Sequence, residues 1–110
     1  MAGKFELKRS SDDRHFFNLK AGNGEIILSS QLYVSRDGAL KGIASVQGNA
    51  PEDERYDRLV ATNGEPYFVL KARNGEVIGR SETYSSKSAM ENGIDSVKRH
   101  APEAKIVDLT

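Results

Sequence analysis

Cysteine is absent from the 110 residues. That excludes a disulfide framework and any thiolate metal site, and nothing in the chain requires an oxidising compartment. No apolar run approaches the roughly 20 residues of a membrane-spanning helix. The opening Met-Ala-Gly-Lys-Phe-Glu-Leu lacks the apolar core of an export signal, so a soluble, unexported, cytoplasmic protein is expected. Neither sign of charge prevails, since 16 basic and 16 acidic side chains cancel and are interleaved. The chain therefore has no broad field to attract nucleic acid or an anionic membrane. Imidazole is scarce as well. His15 and His100 are the only histidines, and neither sits in a His-x-x-x-His or Glu-x-x-His spacing, so no metal or other cofactor is expected. A Gly/Ser-rich or Pro-rich linker is also missing, which argues for one domain over residues 1–110. With 37% hydrophobic and 29% charged residues, the balance is that of a globular chain able to bury a modest core.

What the chain does have is itself, twice. Shifted by 51 positions, Phe17 to Pro51 runs over Phe68 to Pro102 without a gap, and about half of the paired residues are identical. The shared skeleton is Phe-x-Leu-Lys-Ala-x-Asn-Gly-Glu-x-Ile-x-x-Ser-x-x-Tyr-x-Ser, followed by Gly-Ile-x-Ser-Val-x-x-x-Ala-Pro. A stacked solenoid needs about three or more units, so two copies are expected to close on each other around a pseudo-twofold axis. The copies span residues 5–51 and 56–102, and 103–110 form a closing strand.

Each copy reads as three strands, a helix and a strand. Lys4 to Lys8 and His15 to Ala21 alternate polar with apolar residues, the period of half-buried strands. Asn23-Gly24 suits the positive φ angles of a two-residue type I′ turn. In that register Ile26 and Leu28 share a face with Phe17 and Leu19, and Ile27 points away. Ser35 and Ser86 stand where helix N-caps belong. Behind them Ala39, Ile43 and Val46, and likewise Met90, Ile94 and Val97, recur at helical spacing. Gly42 and Gly93 lie inside these helices despite a cost of about 1 kcal/mol relative to alanine, which implies a close approach of helix to sheet. Pro51 and Pro102 end the helices.

The paired Leu-Lys-Ala-x-Asn-Gly-Glu and Gly-Ile-x-Ser-Val signatures, their tandem arrangement and the opening Ala-Gly-Lys-Phe-Glu-Leu resemble the bacterial YegP-like family over essentially the whole chain. The resemblance implies an α+β fold of two β-β-β-α-β units sharing one antiparallel sheet, with both helices on one face and exchanged terminal strands. It brings no established biochemical role. The second copy departs from the first at Gly79 and Arg80, where Leu28 and Ser29 stand.

No motif demands chemistry. Gly22-Asn23-Gly24 resembles a fragment of a phosphate-binding loop, but such a loop joins a strand to a helix, and this one joins two strands. The repeated serines fall at caps, loops and helix contacts, without a nucleophile elbow around them. Glu25 and Glu76 recur beside Lys20 and Lys71, as expected of exposed cross-strand ion pairs. Tyr33 and Tyr84 recur between strand and helix, where the ring can seal the core edge. The remaining feature is the sheet face opposite the helices, on which Phe16, Ile27, Tyr67, Val69 and Ile78 are interleaved with Lys20, Lys71 and Arg80. This face is the candidate binding surface. It can dock a protein or a small ligand, stack single-stranded nucleic acid, or be covered by the chain's own loops or a second copy; charge neutrality argues against the nucleic acid. The expected protein is a monomer with an internal pseudo-dimer, acting as a non-enzymatic binding or adaptor module. The rival reading is a small-molecule-binding protein or enzyme with a site between the repeats, in which Glu25, Glu76, Lys20 or Lys71 would converge.

Overall fold

The computed structural model describes residues 3–110; Met1 and Ala2, which the single-domain expectation includes, lie outside the described residues. The chain runs β1 (Lys4–Arg9), β2 (His15–Lys20), β3 (Ile26–Ser29), α1 (Arg36–Asn49), β4 (Tyr56–Val60), β5 (Pro66–Lys71), β6 (Val77–Arg80), α2 (Lys87–His100) and β7 (Lys105–Asp108). Short 3-10 turns at Asp53–Arg55 and Ala101–Glu103 follow the two helices. All strands join one sheet in the order β4-β5-β6-β3-β2-β1-β7. Leaving β7 aside, that order reads the same from either end when the copies are exchanged, the arrangement produced by a twofold axis between β3 and β6.

Both helices start where a serine hydroxyl can take up a free backbone amide. Ser35 Oγ accepts from Gly38 N at 3.0 Å and Ser86 Oγ from Ala89 N at 3.1 Å. The predicted stripes are buried, with Ile43, Val46, Ile94 and Val97 all within 1% of full burial. They meet two matching aromatic sets from the strands. Phe17 lies edge-on to Phe5 and stacks parallel to Tyr33, and Phe68 does the same with Tyr56 and Tyr84. The helix glycines serve these rings more than the sheet. A Cβ on Gly42 would collide with the Tyr33 hydroxyl, and one on Gly93 with that of Tyr84.

The structure amends three of the expectations. First, the sheet is mixed: β7 pairs with β1 in parallel, because it returns from the far copy and enters from the same end as β1. Second, the strand exchange runs one way. Residues 52–56, which correspond to 103–107, form a 3-10 turn and pass straight into β4, whose outer edge carries no strand among the described residues. Third, the hairpin turns hold three residues. Ala21 N donates to Glu25 O and Gly24 N to Ala21 O, Gly24 alone takes the positive φ of 86°, and Asn23 Oδ1 accepts from Glu25 N. A three-residue loop of this kind shifts the pairing by one position. Leu19 faces Leu28 but Lys20 faces Ile26, leaving Ile27 as a β-bulge. Residues either side of a bulge no longer alternate, so consecutive Ile27 and Leu28 are both buried in the core. The same slip at Leu70/Lys71 carries Ile78 into the core.

Candidate binding surface

Strand register places one continuous row on the open face: Asp57, Val69, Arg80, Ser29, Asn18, Glu6 and Val107 stand side by side from β4 to β7. Over β1 and β2, Lys4 lies directly opposite Lys20, a like-charge pairing that would repel without a counter-ion. Glu6 supplies it. Its carboxylate lies 2.9 Å from Lys20 Nζ, 3.4 Å from Lys4 and 3.5 Å from Lys8. The hydrogen bond from Lys20 holds the Glu6 carboxyl below its ordinary pKa, against the opposing pull of desolvation. Over β4 and β5, Lys71 Nζ sits 2.7 Å from Asp57. These are the partners that replace the expected pairs Lys20–Glu25 and Lys71–Glu76. The three-residue turn sets Glu25 across from Ala21 and so moves it off the open face, which Lys20 keeps.

Of the predicted surface residues, Phe16 and Lys20 form one patch with Glu6, and Tyr67, Val69, Lys71 and Arg80 form another with Asp57. Ile27 and Ile78 belong to the core beneath, as a consequence of the bulges. Val69 is nearly buried between its neighbours. Sequence reasoning passed over the two acids, although Glu6 and Asp57 are related by the same 51-residue shift and so mark a repeated acid-lysine pairing.

Arg80 differs from the lysines around it. Its guanidinium lies 4.8 Å from the centre of the Tyr67 ring, and among the described residues no carboxylate comes within ion-pairing distance of it. It stands at the weakest seam of the sheet, where β3 and β6 share the single pair Ser29 to Arg80. A hollow of about 350 Å³ opens there, lined by Ser29, Gln31, Val77, Arg80, Ser81 and Glu82 among others. Two of the hydroxyls lining it are already engaged. Ser30 and Ser81 accept from Phe17 N and Phe68 N and donate to the carbonyls of Gln31 and Glu82.

The groups named for an enzyme site do not converge, since Lys20 and Lys71 lie on the open face and Glu25 lines a different hollow beside α2. Among the described residues no three His, Asp or Glu side chains are grouped to hold a metal. His100 Nδ1 lies 2.8 Å from Ser96 O, and His15 Nδ1 is buried without a partner among the described residues.

The fold and this surface define a class: a tandem α+β repeat whose two halves share a single sheet, with helices on one face and an ion-paired, aromatic-studded surface on the other. Within that class the chain belongs to the YegP-like family, matching the model described as "Domain of unknown function (DUF1508)" twice, over residues 10–57 and 61–108. It is 51% identical to the UPF0339 protein YegP of Escherichia coli over 110 residues, covering the whole of both chains. A UPF0339 protein of Bordetella pertussis is 56% identical, with 100% of this chain and 98% of that one covered. Two solution NMR structures share the fold. The UPF0339 protein from Shewanella oneidensis matches at a TM-score of 0.94 with 52% identity, covering 100% of this chain and 93% of that one. The E. coli YegP structure matches at 0.95 with 51% identity, covering 100% and 95%.

Proposed function

We propose that the protein is a non-enzymatic binding module that holds the acidic group of a small ligand on Arg80, at the seam of the open sheet face. The observation that carries this reading is the contrast among cations: Lys4, Lys8 and Lys20 share the Glu6 carboxylate and Lys71 pairs with Asp57, whereas Arg80 is stacked on Tyr67 and, among the described residues, has no carboxylate within ion-pairing distance. Stacking fixes the guanidinium plane and leaves its donors free for a carboxylate or phosphate. The adjoining hollow has the size of a small-molecule site. Binding is favoured over catalysis because Glu6 and Asp57 are committed to lysines and the Ser30 and Ser81 hydroxyls to backbone groups. The balance of 16 basic and 16 acidic side chains over the chain disfavours nucleic acid, whose affinity rests on excess cations. The test is an amide-resolved NMR titration with succinate, and with succinamide as its neutral counterpart. Succinate should shift Ser29, Gln31 and Ser81, and Arg80→Gln should weaken it about tenfold, the value of a charge-assisted hydrogen bond. Equal responses to the two probes, or an unaltered response in the variant, would overturn the reading.

A further inference from the structure

The residues that recur in both copies are scattered along the sequence, but many of them meet at one place. The Ala-x-Asn-Gly-Glu-x-Ile stretch of the first hairpin, from Ala21 to Ile27, comes against Tyr84, Asn92, Gly93 and Ser96 of the second copy around a hollow of about 250 Å³. Ala21, Asn23, Glu25, Ile27, Tyr84, Gly93 and Ser96 all recur in the other copy, and at Gly93 the missing Cβ leaves room for the Tyr84 hydroxyl. The hollow lies on the helix side of the molecule, away from Arg80 and the seam.

We infer that this cleft is a second binding site, and that its ligand is a small organic ammonium ion with a short apolar body. Three features specify that chemistry. Glu25 lines the cleft, and among the described residues its carboxylate has neither an ion-pair nor a hydrogen-bond partner. The Tyr84 phenol faces the same space without a protein hydrogen bond among the described residues; burial first, then the charges of Glu82 and Glu25, raise its pKa and keep it neutral. An ammonium is attracted both to such a carboxylate and to an aromatic ring. Ala21, Ile27 and Ala89 supply apolar wall.

The internal repeat adds a comparison. The helix position that lines this cleft as Asn92 is Lys41 in the other copy, beside the corresponding glycine, Gly42. One half of the molecule thus carries an ammonium of its own at this station, and the other half leaves it out.

The experiment uses n-butylammonium as the probe and n-butanol as its uncharged isostere, followed by amide NMR on the full chain. Butylammonium should shift Asn23 to Ile27, Tyr84 and Asn92 to Ser96, and butanol at the same concentration should not. Glu25→Gln should weaken the response about tenfold, as expected when one charged partner is lost, and Glu76→Gln, at the corresponding place in the other copy, should leave it unchanged. Asn92→Lys should abolish it by installing the internal cation. All three positions are exposed, so the variants should keep the wild-type amide dispersion. Matching responses to the two probes, a response that survives both Glu25→Gln and Asn92→Lys, or an equal loss in Glu76→Gln would overturn the inference. None of these outcomes depends on Arg80.

Discussion

Glu6 is a nearly buried carboxylate serving three lysines, and its contribution depends on its charge. Its pKa is depressed in the folded protein, chiefly by Lys20. A carboxyl with a lowered folded-state pKa adds stability above its unfolded value, and the gain is lost as pH falls through the folded value. Glu6→Gln should therefore destabilise at about pH 7 and make little difference at about pH 2, where the wild-type carboxyl also lacks its charge. Denaturant midpoints of both proteins at the two pH values measure this, and equal losses at both would place the effect in shape instead of charge. This partner of Lys20 was not readable from its sequence neighbours. Asn-Gly occurs in two-residue and three-residue turns alike, and a difference of one loop residue decides whether Glu25 shares a face with Lys20. The same shift decides the fate of Ile27 and Ile78. Alternation alone puts them on the open face, and a bulge turns them into the core.

Elements with local signals were legible. Helix caps at Ser35 and Ser86 and the stripes containing Ile43 and Ile94 depend on residues within a few positions of one another, and the structure has them where the spacing predicts. The seam between β3 and β6 depends instead on which strand from the other copy lies alongside. There the departure at Gly79 finds its reason. Leu28 and Gly79 are related by the repeat and meet near the twofold axis, and a Cβ on Gly79 would come within 2.5 Å of Leu28 Cδ2. Two large side chains cannot occupy related positions so close to the axis, so one copy keeps the leucine and the other yields. Gly79→Ala should cost about 1–3 kcal/mol by overpacking, and Leu28→Ala about 2–5 kcal/mol by leaving a cavity. Combined, they should cost less than the sum, since the added methyl enters the vacated space. Chemical denaturation of the four proteins gives the coupling, and strict additivity would show that the two positions do not share that space.

At the scale of the whole molecule, neither copy is complete without the other. α1 packs on β2 of its own copy and on β5 and β6 of the second, and α2 packs on β5 and on β3. β7 leaves the second copy to cover β1, which is why Leu7 is fully buried. Its counterpart Arg58 lies on the uncovered strand β4 and turns to Glu91 at 2.7 Å and Asp53 at 3.0 Å. Charge on an exposed edge strand also discourages pairing with further chains. An isolated half would expose the apolar surfaces on which the other copy's helix rests, and the first half would also lose the strand that seals Leu7. The protein should therefore unfold in a single transition, with far-UV and near-UV circular dichroism coinciding and the calorimetric enthalpy equal to the van't Hoff value. Residues 5–51 alone should show no cooperative melt. Two resolved transitions, or a folded isolated half, would mean that the repeats are separable beads and that the crossed helix contacts contribute little to stability.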